Sequence, residues 1–190
     1  MSESDPDLSL VRALQDGDER ALDELMTRHQ GPLLGMIYRH VGDSALARDL
    51  LQETFVRAYF GIGQFKPQAK FISWLCSIAT NLCRDHARSK RGRQARVTRS
   101  FDEMTDMERE IPDASAQSSQ PDDAMEKREA LEALDEAIGQ LPHDLKAALI
   151  LFALEGRPQQ ECAEILGVTP KAVETRVYRA RKILESRISR

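Results

Sequence analysis

The chain is poor in aromatics, in glycine and proline, and in cysteine. Six Phe, three Tyr and one Trp make up 5% of its 190 residues. Ten Gly and eight Pro fall below average usage, which excludes collagen-like and wholly low-complexity chains. Cys76, Cys83 and Cys162 are too few, and odd in number, for a disulfide framework. On one helix Cys76 and Cys83 would stand roughly 10 Å apart, beyond the roughly 7 Å Cα limit of a disulfide. None of His29, His40, His86 and His143 pairs with a cysteine at zinc-ligand spacing, so neither metal nor other cofactor is expected. No apolar run approaches the roughly 18 residues that span a bilayer. The acidic start, Met1 to Asp7, lacks the basic and apolar stretches of a signal peptide. A cytoplasmic protein without membrane insertion is the expectation. No nucleophile–base pair, phosphate-cradling glycine loop or metal cluster is visible, so neither catalysis nor a small-molecule substrate is expected.

What is present is a core and a segregated charge. Apolar residues make up 41% of the chain, and the net charge is −4. From Arg84 to Arg99 seven basic residues stand against Asp85 alone, and from Ser100 to Glu129 ten acids face three bases. From Pro170 to Arg190 seven basic residues again outnumber two acids. Two basic blocks divided by an acidic stretch suggest two polyanion-binding modules, or else two solvated helix faces. The run Pro112 to Pro121, rich in Ser, Gln and Pro, cannot bury enough apolar surface to offset ordering. The expected organisation is therefore a domain over 1–91, a flexible linker over 92–121 and a domain over 122–190.

Both domains read as helical, and strand-like alternation is absent; the fold class is all-α. Leu8, Val11 and Leu14 form a first stripe, stopped by Asp16-Gly17-Asp18. Ala21, Leu22, Leu25 and Met26 begin a second, which Gly31-Pro32 interrupts before Leu33 resumes it. Asp43 is a plausible cap for a helix to about Phe60, and another helix is expected over about 70–89. In the second domain, Asp122 caps a helix to about Gln140 and Pro142 opens one ending near Gly156. Pro158 opens a short helix that carries Ala163 and Leu166 inward. Gly167 gives the sharp turn, and Thr169-Pro170 starts a longer helix. That is the sequence form of a helix-turn-helix, whose second helix enters a DNA major groove. At 100° per residue, Val173, Val177, Ala180 and Leu184 share one arc. Lys171, Thr175, Tyr178 and Lys182 lie opposite, flanked by Glu174, Arg176 and Arg179, which suits base-edge and phosphate contacts.

Two surfaces stand out in the first domain. On the helix from Asp43, Asp49, Gln52, Glu53 and Val56 face away from the apolar arc. On the next, Trp74, Ser77, Asn81, Arg84 and Arg88 run along one edge beside inward-facing Phe71, Leu75, Ile78, Ala79 and Leu82. An aromatic beside an amide and guanidinium groups suits single-stranded nucleic acid, although Trp74 equally suits a core. The preceding loop, Gly63 to Lys70, could cup an extruded base.

Asp49 to Tyr59, Phe71 to Asp85 and Arg88 to Arg91 resemble conserved region 2 of extracytoplasmic-function sigma factors. Leu141-Pro142, Leu154 to Gly156, Glu161 with Ala163, and Val173 to Arg181 resemble their region 4. The resemblance implies a promoter-specificity subunit of bacterial RNA polymerase, usually controlled by an anti-sigma factor. It implies that Asp49, Leu50, Gln52, Glu53 and Val56 dock on the clamp helices of the β′ subunit, with further contact to the β subunit. It assigns the minus-ten promoter element to Gln64, Phe65, Lys66, Trp74, Ser77, Asn81, Arg84, Arg88, Lys90 and Arg91. It assigns the minus-thirty-five element to Lys171, Glu174, Thr175, Arg176, Tyr178, Arg179 and Lys182. Glu174 replaces a common cation of this family, and its carboxylate can either accept from cytosine N4 or repel phosphate. Two other readings stay open on residues alone: an ordinary helix-turn-helix regulator and a non-DNA interaction protein.

Overall fold

The computed structural model describes residues 5–97 and 133–188. The described residues hold eight α-helices and no strand. The N-terminal domain comprises α1 (Leu8–Gln15), α2 (Arg20–Val41), α3 (Ser44–Gly61), a 3-10 turn (Ile62–Gln64) and α4 (Phe71–Val97). The C-terminal domain comprises α5 (133–139), α6 (His143–Leu149), α7 (Gln159–Leu166) and α8 (Pro170–Ile188). The expected linker over 92–121 and the expected cap at Asp122 lie outside the described residues, except that 92–97 continue α4 as helix.

Local chemistry sets most boundaries. Gly42 adopts a left-handed φ of 72° to end α2, and the Asp43 side chain accepts from the Leu46 N–H at 2.9 Å to start α3. Gly167, with φ of 63°, ends α7; the Val168 N–H reaches back to the Ala163 carbonyl at 3.0 Å. The Thr169 hydroxyl then accepts from the Ala172 N–H at 3.2 Å, capping α8 two residues after the turn.

One expectation is corrected. Gly31-Pro32 does not interrupt α2, which runs through it as one helix of 22 residues. Proline inside a helix costs about 3 kcal/mol, but Gly31 and Pro32 face solvent while Leu25, His29, Leu33, Met36 and Ile37 are buried along the other side. Burial across both halves offsets the lost backbone bond. In α7 Cys162, Ala163 and Ile165 are buried, and Leu166, half-buried, packs against the same core as expected. A feature without any sequence signal is the π-helical turn Ile150–Leu154 that extends α6, closed by the Glu155 N–H on the Ile150 carbonyl at 2.8 Å.

The two domains pack against each other. α7 lies on α4, and the π turn lies on α2. At this seam the Ser73 hydroxyl donates to Glu161 Oε1 at 2.7 Å, and Arg157, paired with Glu161, reaches the Cys76 sulfur at 3.3 Å. Arg39 pairs with Glu155, and the Lys146 ammonium donates to the His40 carbonyl at 3.2 Å.

Candidate nucleic-acid interface

α4 positions the first surface. Phe71 and Leu75 anchor it in the core at 1% and 0% exposure, which turns Trp74 and Ser77 to the rim and Asn81, Arg84 and Arg88 to solvent. Asn81 Oδ1 accepts from the Arg84 guanidinium, so amide and cation are held side by side. Trp74 is half-buried: its ring lies 5.3 Å from Phe65 and 5.7 Å from Phe71, centroid to centroid, and stands 3.4 Å from where a Cβ on Gly61 would lie. The expectations of core packing and of an exposed rim both hold for this residue.

Above this aromatic floor is a cavity of about 210 Å³ lined by Gln64, Phe65, Lys66, Ser73, Trp74 and Ser77. A further wall comes from the other domain, through Glu164 and Ile165 of α7. Gln64 and Lys66 are exposed at its mouth. Phe65 is not: at 6% exposure it is turned inward beneath Trp74, edge-on to Phe71 at 5.7 Å. Phe65, packed between the two other rings, forms part of the pocket floor. Lys90 and Arg91 continue α4, but their side chains lie outside the described residues.

On α3, Asp49, Gln52 and Val56 are exposed and Glu53 is half-exposed beside Arg57, with which it pairs at 2.8 Å. Leu50 belongs instead to the core, at 9% exposure, one helical position from the solvent face. Leu50 thus packs beneath the exposed face that Asp49, Gln52 and Val56 present. The sequence reading missed Phe60, which is 80% exposed. Gln52, Val56 and Phe60 follow the i, i+4, i+8 row of one face, a signal that was available.

α8 carries the second surface. Val173, Val177, Ala180 and Leu184 are all buried, as the helical arc required. Lys171, Glu174, Tyr178, Arg179 and Lys182 are exposed, while Thr175 and Arg176 are partly covered. The Lys171 ammonium pairs with Glu174 at 2.9 Å, the Thr175 hydroxyl donates to the Lys171 carbonyl at 2.9 Å, and Arg176 lies 3.8 Å from Asp144. Beside this face is a groove of about 450 Å³ lined by Phe152, Gln159, Lys171, Glu174, Tyr178 and Arg181. Phe152 and Leu154 reach the surface on the π turn, which no sequence pattern marked.

Other chemistry is weakly supported by these surroundings. All three cysteines are buried, and burial pushes the thiols of Cys76 and Cys83 up to about 12 and that of Cys162 to about 11. Such groups stay protonated and are poor targets for oxidants. No helix among the described residues is long and apolar enough to cross a membrane.

Comparison with known proteins extends over both domains. Residues 25–93 match the model of Sigma-70 region 2, and residues 131–184 match that of Sigma-70, region 4. The chain is 33% identical over 187 residues to the RNA polymerase sigma-H factor of Pseudomonas aeruginosa, covering 97% of this chain and 95% of that one. It is 30% identical over 190 residues to the ECF RNA polymerase sigma-E factor of Haemophilus influenzae, with 99% and 98% covered. The solved structure of CnrH in complex with the cytosolic domain of CnrY shares 26% identity and a TM-score of 0.64, over 97% of this chain and 96% of that one.

Proposed function

Since this chain belongs to the extracytoplasmic-function sigma factors and carries their regions 2 and 4, we propose that it binds core RNA polymerase and selects promoters by two separate readings of DNA. The observation that carries this reading is the α4 edge, where a pocket with an aromatic floor opens beside Asn81, Arg84 and Arg88. Melted DNA offers unstacked bases and phosphates, and the pocket supplies a stacking floor while the guanidinium groups supply cations. Capturing one base there offsets a few kcal/mol of unpairing. α8 reads the upstream element as duplex, its buried arc against the domain and its polar face in the major groove.

On this reading Asp49, Gln52, Glu53, Val56 and Phe60 form the face that docks on the polymerase β′ subunit. An aromatic anchor amid acidic groups suits a partner helix with basic and apolar positions. The chemistry of RNA synthesis belongs to the core enzyme, and this chain contributes recognition. Each DNA module alone binds weakly; joining them on one polymerase raises the effective concentration of the second once the first is engaged. Control by an anti-sigma factor is part of the same proposal, supported by the similarity to CnrH, which was solved with the cytosolic domain of CnrY.

The test is run-off transcription with bacterial core polymerase, with and without this chain, over promoter fragments from its genome. Starts that share upstream sequences and appear only with the chain support the reading. Duplex binding by the chain without any specific start would favour an ordinary helix-turn-helix regulator. Asp49→Arg combined with Glu53→Arg should weaken core binding at least tenfold by anisotropy, since charge reversal at a docking face costs over 1.4 kcal/mol.

A further inference from the structure

The loop from Ile62 to Lys70 shapes the pocket, yet its own backbone bonds are few. The Phe65 N–H bonds the Ile62 carbonyl at 3.1 Å, and the Gln68 N–H bonds the Lys66 carbonyl at 2.8 Å. Both ends of the loop are gripped from elsewhere. Gln15, the last residue of α1, donates from Nε2 to the Ile62 carbonyl at 2.8 Å and lies 3.4 Å from the Phe65 carbonyl. Asp5 Oδ2 accepts from the Phe71 N–H at 2.6 Å, where α4 begins.

This second grip does the work of a missing local cap. The first four N–H groups of a helix need acceptors from outside it. Lys70, which precedes α4, has a side chain that only donates. A carboxylate 66 positions away supplies the acceptor instead. Its own place is fixed in turn. Asp5 Oδ1 accepts from the Asp7 N–H at 3.1 Å, and the Asp7 carboxylate, 3% exposed, is held by Arg28 at 2.6 Å and His29 at 2.7 Å. Val11 and Leu14 bury the inner face of α1 at 1% and 5% exposure. None of these residues lines the pocket, and all but Arg28 and His29 precede the segment that matches region 2.

We infer that residues 5–15 form a positioning strap, in which Asp5 and Gln15 hold the two ends of the minus-ten loop and set its base discrimination without touching DNA. The inference rests on the reading of that loop as the base-capturing element. A loop that samples several shapes binds with its intrinsic affinity divided by the fraction of chains in the competent one. Releasing either grip lowers that fraction, and the loss falls on the preferred base because only a formed pocket discriminates.

The experiment assembles holoenzyme with each variant and measures binding to a single-stranded minus-ten sequence taken from the run-off starts, and to a scrambled strand. Gln15→Met keeps the length of an exposed side chain and removes its donors. It should lower the consensus-to-scrambled affinity ratio about tenfold, with core affinity and thermal midpoint unchanged. Asp5→Ala should lower the ratio by a similar factor and, as a lost helix cap, also lower the thermal midpoint; Asp5→Asn, which keeps an acceptor oxygen, should restore most of the ratio. Gln64→Ala with Lys66→Ala controls the loop itself. If that pair reduces the ratio while Gln15→Met and Asp5→Ala both leave it intact, the strap is refuted. If the pair also leaves the ratio intact, the loop does not read bases, and the inference falls with its premise.

Discussion

α4 and α8 each carry a row of polar and cationic groups, but they are packed differently. α8 buries one stripe, Val173, Val177, Ala180 and Leu184, and leaves its other side to solvent. α4 is covered on two sides: Phe71, Leu75, Ala79 and Leu82 are buried, and so are Ser73, Cys76, Thr80 and Cys83. The second cover comes partly from α7, whose Glu161 accepts from Ser73 and whose Glu164 walls the pocket. A duplex groove accepts a helix that projects from its domain, whereas a pocket for one base needs walls from several elements. The difference has a cost. Glu164 sets a negative charge in the pocket wall, whereas the exposed face of α8 carries Lys171, Arg179 and Lys182.

The largest expected effect separates the two surfaces altogether. Phe71→Ala removes a ring 1% exposed beneath the pocket and should cost the N-terminal domain about 3–5 kcal/mol in urea denaturation. Duplex binding through α8 should survive it; joint loss would show the two domains to be one folding unit.

Acid should strike the seam next. Burial holds the His40 imidazole neutral, its pKa lowered from 6.5 to about 4, with the Met36 carbonyl opposing the shift and His143, Lys146 and Arg39 adding to it. As pH falls below 6.5 the unfolded chain takes a proton that the folded chain refuses until about 4. The stability present above pH 6.5 is therefore lost progressively down to about pH 4 and changes no further below it. The loss is on the order of 3 kcal/mol, and His40→Gln should remove that step from the pH profile of denaturation midpoints.

Smaller effects sharpen the contrast at each surface. Arg176→Ala should weaken upstream duplex binding and reduce the slope of log affinity against log salt by about 1. An unchanged slope would leave Arg176 as a partner of Asp144 and no phosphate contact. Glu161→Gln removes the charge that pairs with Arg157 and faces Ser73. It should raise the isolated chain's affinity for single-stranded DNA by about threefold, a fraction of the strength of one charged bond, while duplex binding stays constant.

Much of this protein was legible before its structure, because local rules dominate helical domains. The cap at Asp43, the turn at Gly167, the start at Thr169-Pro170 and the buried arc of α8 follow from side-chain chemistry within a few residues of each. The likeness to sigma regions 2 and 4 was carried by short runs of residues for the same reason. The burial of Leu50 and Phe65 was not legible in the same way, because family motifs mark which residues recur at an interface and do not say how deep each one sits.

The sequence by itself determined that the chain is helical, that its basic blocks are separated, and that α8 presents a polar face away from an apolar one. Periodicity of 3.6 residues records one buried side, since that side is repeated along the helix itself. Only the tertiary structure decided the second cover on α4, the inward turn of Phe65, the continuity of α2 through Pro32 and the grip of Asp5 and Gln15 on a loop some 50 or more residues away. Those depend on which distant segments supply the missing acceptors and the remaining burial, and no pattern internal to a single helix encodes its neighbours.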